Sequence, residues 1–317
     1  MAIKDTVSYL AVVVLIGVGT AVALTVQRRR PAGGRKKDDA TTTNNIAFLG
    51  NSMLYYNDCP RLVQCMLQMQ SCGRQVHQDS CLRGGTNLTE LWRKGNGMRH
   101  KFGIKDAGDI GAPTVSALLG DTTWDVVVLN DHTQGPARET TAALTRRTLQ
   151  EQYRPLIIGA PLMVVLQTPA YRYPNMLNTH DLGAFDMFTA KVREGVASYA
   201  AVLHNSVVAP VGDAYQFLRI SNPALFDRLY CADHFHPSSH GTWLEACTLV
   251  CSILRNRRNI EQIPPEPLFD CQAVLDTWEK AARYWQPNTT TAPELPNEEE
   301  AKELWRVAQA VVTRLDE

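Results

Sequence analysis

An α/β fold built on a parallel sheet is what this sequence predicts. Short apolar, β-branched runs recur along the chain, and helical stretches separate them. Several runs also end in small or polar residues. In open α/β sheets, ligands bind at that end of the strands.

The strand-like runs lie at 46–49, 75–78, 124–129, 162–167 and 206–211. Helical periodicity marks 60–71, 88–94, 139–153 and 184–204. Strand and helix in alternation build a parallel sheet joined by right-handed crossovers. About 210 residues are ample for one such core. Segment 95–112, rich in glycine and charge, reads as a surface loop. After the core, 259–267 is a proline-rich connector and 269–284 has an amphipathic helical pattern. Residues 286–296 are rich in threonine and proline, and 297–315 form a second helix with an acidic start, Glu298-Glu299-Glu300. The apolar face of that helix either packs on the domain or binds a partner.

The N-terminus is of another kind. Residues 7–26 carry no charge and are long enough to span a bilayer. Six cations follow (Arg28, Arg29, Arg30, Arg35, Lys36 and Lys37), against only Lys4 ahead. That distribution predicts a single-pass anchor with the following domain on the cytoplasmic side. A cleaved signal peptide, giving a secreted or lumenal protein, is the alternative, since Ala21-Val22-Ala23 resembles a cleavage site. The expected organisation is an anchor at 1–27, a basic and polar linker at 28–44, a catalytic domain at 45–258 and a C-terminal helical extension at 259–317.

Lysine plus arginine number 32 and aspartate plus glutamate 32, so the net charge is zero. Nothing here forms the basic, aromatic-laced face of a nucleic-acid binder. The eight cysteines include no Cys-x-x-Cys pair, which argues against a zinc ribbon. Two sequons occur, at Asn87 and Asn288.

The candidate chemistry begins at Ser52. It ends the run Ile46-Ala47-Phe48-Leu49-Gly50-Asn51-Ser52, at the C-terminal edge of a buried strand. A serine there is a turn residue or helix cap unless a base and an oxyanion site converge on it. The base candidate is His236, in Asp233-His234-Phe235-His236-Pro237. A carboxylate three residues ahead of an imidazole can hold its Nδ1–H, leaving Nε2 to take a proton. The same segment admits a metal reading through His234, His236 and His240. Gly84 and Gly85 follow the second strand-like run, and Asn130 ends the third. A glycine N–H and the Asn130 amide could both donate to an oxyanion, joined by the Ser52 N–H. Plain turns and caps are the alternative role for each.

Ser52, Gly84 or Gly85, Asn130 and His236, in that order, resemble the SGNH hydrolases, the GDSL esterase/lipase family. Asp233 stands where that family has its aspartate, and Gly50-Asn51-Ser52 with the following tyrosines looks like its Gly-Asn-Ser branch. Two departures stand out. Asn51 replaces the aspartate of the GDSL name, and Val128-Leu129-Asn130-Asp131 lacks the glycine of the usual third block. The resemblance covers about residues 45–257. It implies a three-layer α/β/α sandwich with a flavodoxin-like five-stranded parallel sheet. It also implies a Ser52–His236–Asp233 triad acting on carboxylic esters without cofactor or metal. Substrates would be acetylated sugars, lipids or acyl thioesters. The competing expectation is a catalytically silent, membrane-anchored interaction module, which the missing glycine favours.

Overall fold

The computed structural model describes residues 44–70, 75–99, 111–120, 122–257, 263–282 and 293–314. Five strands form one parallel sheet: β1 (Asn44–Gly50), β2 (Val76–Leu82), β3 (Val126–Leu129), β4 (Leu162–Leu166) and β5 (Ser206–Ala209). Their order is β2-β1-β3-β4-β5. Ile46 pairs with Val126, and Val126 in turn with Leu162. Every residue of β3 and β4 is buried. That is why these strands read as unbroken apolar runs, since both faces of a parallel sheet are covered.

The helices follow in chain order. α1 (Ser52–Tyr55) and α2 (Cys59–Gln70) come after β1, and α3 (Leu88–Lys94) and α4 (Val115–Gly120) after β2. α5 (Glu139–Thr148) follows β3 and α6 (Phe185–Ala200) follows β4. After β5 come α7 (Val211–Ser221), α8 (Pro223–Asp227), α9 (Ser239–Arg257), α10 (Cys271–Ala281) and α11 (Glu298–Thr313). α2 and α9 pack on each other and on the sheet, while α3, α4 and α6 contact it as a second group, with α5 against α3 and α6. The result is an α/β/α sandwich, and this architecture fits the SGNH-type fold that the resemblance implies.

The two C-terminal helices pack onto α2 and α9. Three buried indoles fasten this region. Trp278 Nε1–H donates to the Asn57 carbonyl at 3.0 Å, Trp243 Nε1–H to Ala301 O at 3.1 Å, and Trp305 Nε1–H to Pro264 O at 3.1 Å. The apolar face Ala301, Leu304, Trp305, Ala308, Val311 and Val312 is therefore buried against the domain. Asn297 and Glu300 cap α11 reciprocally, which fixes its start after the threonine- and proline-rich stretch.

Several elements differ from the sequence expectation. β2 runs on to Leu82 through Asp79 and Ser80, which are polar yet buried. The Asp79 carboxylate accepts the N–H groups of Ser80 and Ala112, so the strand tolerates it. β5 ends at Ala209 because Pro210 has no N–H for the ladder, and Val211 already begins α7. The expected helix 139–153 is α-helical only to Thr148, then widens into a π turn at Leu149–Tyr153. The apolar segment 7–26 and the basic segment after it lie outside the described residues. Among the described residues, no helix is long and apolar enough to cross a membrane.

Candidate active site

The chain reverses its direction of travel across the sheet at β1, with β2 on one side and β3 on the other. The crevice at the carboxyl ends of β1 and β3 is the place where open α/β sheets bind ligands. Ser52, two residues beyond β1, and Asn130, one beyond β3, both fall there.

Ser52 opens α1, with Asn51 as its N-cap. The Asn51 side chain accepts the Met53 N–H at 3.1 Å and donates through Nδ2 to the Thr86 carbonyl at 2.9 Å. Its backbone N–H donates to Asn130 Oδ1 at 3.2 Å. One asparagine thus ties the serine turn to the glycine loop after β2 and to the end of β3. An aspartate could accept from Met53 but could not donate to Thr86. This gives a physical reason for the amide at the position where the family name has a carboxylate.

His236 Nε2 lies 2.8 Å from Ser52 Oγ, and His236 Nδ1 lies 2.7 Å from Asp233 Oδ2. The second Asp233 oxygen accepts the backbone N–H groups of His236 at 3.0 Å and Phe235 at 3.2 Å. Burial raises the Asp233 carboxyl, but these bonds and the imidazole outweigh it and hold it below its ordinary range. The loop itself is braced. His234 adopts φ 65°, the Cys231 N–H donates to His236 O at 2.8 Å, and Ser238 N–H donates to Leu229 O at 2.9 Å. Pro237 ends the loop and α9 starts at Ser239, so the imidazole sits on a fixed turn beside a helix start.

Asn130 is fully buried. Its Oδ1 faces the Asn51 N–H, which fixes which end is the amide, and its Nδ2 donates one proton to Asp131 O at 2.9 Å. A Cβ on Gly50 would stand 2.8 Å from both Cβ and Oδ1 of Asn130. The glycine missing before Asn130 thus has a counterpart in Gly50, which lets Asn130 lie against the serine turn. Asp131 accepts from Leu88 N–H, His132 N–H, Thr145 Oγ1 and Tyr199 OH at 2.8 to 3.2 Å. It thereby fastens the start of α3, and with it the glycine loop, to the end of β3.

The two glycines of that loop differ. Gly85 takes φ 65°, in the left-handed region, and a Cβ there would meet nothing within 4 Å. A Cβ on Gly84 would stand 2.6 Å from the Tyr55 hydroxyl, which itself interacts with Ser52. Gly84 is therefore the glycine packed beside the serine helix, and Gly85 forms the turn.

The three histidines of the metal reading diverge. His236 faces Asp233 and Ser52, the His234 ring lies 4.9 Å from that of Tyr173, and His240 Nε2 lies 3.3 Å from Glu300 Oε2. Among the described residues, no cluster of three or more histidine, cysteine or acidic side chains could hold a metal.

Two contributors had no assigned role in the sequence. Tyr56 stacks on the His236 imidazole, and Asn57 donates to the carbonyl after it. Only the run of tyrosines followed by Asn57-Asp58 hinted at them, since asparagine and aspartate tolerate the left-handed backbone both adopt here.

No protein-family model and no curated protein matches the chain. Among solved structures, it is similar to a DUF4886 family protein from Bacteroides uniformis, at 15% identity and TM-score 0.58, over 87% of this chain and 96% of that one. That likeness shows the fold. A candidate SGNH hydrolase from Slackia heliotrinireducens matches at 27% identity and TM-score 0.47, over 66% of this chain and 97% of that one. Phospholipase A1 from Streptomyces albidoflavus matches at 13% identity and TM-score 0.31, over 63% and 94%.

Proposed function

We propose that this protein is a serine hydrolase of carboxylic esters working through an acyl-enzyme. The observation that carries the proposal is the unbroken hydrogen-bond relay from Asp233 through His236 to Ser52, at 2.7 and 2.8 Å, in the crevice between β1 and β3.

In this reading Ser52 Oγ attacks the ester carbonyl while His236 Nε2 takes its proton. Asp233 holds Nδ1–H and stabilises the imidazolium. The oxyanion is met by the Ser52 N–H, a glycine N–H and the Asn130 Nδ2–H that Asp131 O does not take. Gly84 is the better candidate for the glycine donor, because it packs beside the serine helix. Each such donor is worth roughly 3 kcal/mol in the transition state. His236 then protonates the leaving alcohol. Water, deprotonated by the same imidazole, releases the acid and restores Ser52. None of these steps calls on a metal or cofactor. Acetylated sugars, lipids and acyl thioesters are the substrate classes in play.

We propose further that residues 7–26 anchor the chain in a membrane with the catalytic domain in the cytoplasm. The charge step around that segment supports this, and so does the Asn87 sequon, which caps α3 just after the glycine loop, where a glycan would obstruct the site. Protease protection in sealed vesicles tests the sidedness, and a protected catalytic domain on the lumenal side would overturn it.

A fluorophosphonate probe tests the chemistry. The intact protein takes up the label and turns over short-chain aryl esters, and Ser52→Ala does neither. Label persisting in Ser52→Ala would end the assignment.

A further inference from the structure

The imidazole of His236 does not rest on hydrogen bonds alone. The Tyr56 ring lies 4.0 Å from it, centroid to centroid, at an interplanar angle of only 13°. Phe235 adds a second ring at 4.1 Å, tilted by 41°. Tyr56 is 1% exposed, and the His236 side chain 13%, so the stack is largely shielded from water.

The backbone delivers Tyr56 to that place. α1 ends after a single turn, Tyr56 leaves it at ψ 130°, and Asn57 and Asp58 follow at φ 51° and 57°. Two consecutive left-handed residues are uncommon away from glycine. They turn the chain back so that the residue four positions after the nucleophile meets the base.

We infer that Tyr56 is a positioning residue for His236, whose aromatic face fixes the imidazole plane and stabilises the imidazolium formed when Ser52 gives up its proton. This rests on the hydrolase reading above. The electron-rich face of an aromatic ring attracts a cation held against it, more so when water is excluded. No bond to Tyr56 forms or breaks. The proton moves from Ser52 Oγ to His236 Nε2 and onward to the leaving group.

Other charges face the same imidazole. Asp233 favours its cationic form, and His132, just after β3, would oppose it if charged. Burial holds His132 below its ordinary range, so it faces His236 as a neutral ring. Burial and the Asp233 carboxylate keep the Tyr56 phenol well above its usual range, so the stacked ring is itself uncharged.

The test is a series at position 56 in the full-length protein: tyrosine, phenylalanine, 4-fluoro-, 3,5-difluoro- and pentafluorophenylalanine. These rings have similar shape and a falling negative charge on the face. Two quantities are read, kcat and KM on p-nitrophenyl acetate across pH, and the titration midpoint of His236 by NMR. Phenylalanine stays within about threefold of tyrosine. Across the fluorinated rings kcat falls by about tenfold, the equivalent of about 1.4 kcal/mol, while KM holds. The acid limb of the rate profile and the NMR midpoint move together to lower pH. A flat series in the midpoint overturns the inference even if activity varies. An enzyme without turnover or label would instead end the hydrolase reading, and the NMR series would still decide whether the ring supports the imidazolium.

Discussion

Asn57 Nδ2–H donates to the Pro237 carbonyl at 3.2 Å, joining the turn after the candidate nucleophile to the residue after the candidate base. The same amide donates to Thr242 Oγ1 at 2.9 Å, and the Asn57 carbonyl accepts the Trp278 indole. Three stretches far apart in sequence thus meet at one buried residue, and the C-terminal helix α10 braces the loop that carries His236.

Replacing Asn57 by glycine separates the amide from the backbone. Glycine adopts φ 51° without strain, so only the side-chain bonds are lost. The expected outcome is a roughly tenfold fall in kcat with KM nearly unchanged, and a stability loss of about 1 to 3 kcal/mol from buried partners left unpaired. Steady-state kinetics with urea melts check both. An unchanged kcat alongside the stability loss would make Asn57 purely structural.

Asn51 gives a counterintuitive expectation. Asn51→Asp installs the residue of the GDSL name, yet here it should impair the proposed hydrolysis. The Thr86 carbonyl would lose its donor and face a carboxylate oxygen instead. The glycine loop then loses one of its ties to the serine turn, and kcat falls by at least tenfold, about 1.4 kcal/mol. The Met53 cap survives, because a carboxylate still accepts that N–H. Full activity in a folded Asn51→Asp protein would show that the loop is held by other contacts.

The sheet and the three candidate triad residues were legible because each rests on local pattern. Val126–Leu129 is an unbroken apolar run, and Asp233 and His236 are close enough in sequence to meet across one turn. What was illegible depends on contacts distant in sequence or on backbone torsions. The sequence leaves Gly84 and Gly85 equivalent, whereas φ 65° at Gly85 and the Tyr55 hydroxyl beside Gly84, which tell them apart, depend on torsions and packing. β2 runs past the expected 75–78 through a buried Asp79, whose carboxylate accepts the N–H groups of Ser80 and of Ala112, the latter 33 residues away. The stack of Tyr56 on His236 joins positions 180 residues apart, which periodicity cannot reveal.

The approach of Gly50 to Asn130 is checked by Gly50→Ala. The new methyl would sit 2.8 Å from the Asn130 side chain and 3.0 Å from its carbonyl oxygen. Asn130 must then move away from the serine turn and lose its place as a donor. A loss of about 10²-fold in kcat is expected, the size of one missing oxyanion donor. The rate of fluorophosphonate labelling falls with it. If labelling stays at the unmodified rate while the protein remains folded, Asn130 is not part of the hole.

Asp79 offers a stability test that does not depend on the chemistry at Ser52. Burial pushes its carboxyl from 3.8 up to about 6, against the N–H bonds from Ser80 and Ala112 that favour the charged form. Between those two pH values the folded chain keeps a proton that the unfolded chain has released. Stability therefore falls as pH rises from about 4 to about 6, and stays at the lower level above that. Asp79→Asn keeps an oxygen to accept both N–H groups and removes the titration. It should stabilise the protein at pH 7.5 by up to about 3 kcal/mol, the value of a shift of this size. Near pH 4 the gain should shrink to a small fraction of that, because the folded aspartate is then protonated and the unfolded one about half protonated. Urea melts at the two pH values measure the difference. A gain of equal size at both would mean that the substitution acts through packing and that the buried carboxylate carries no penalty.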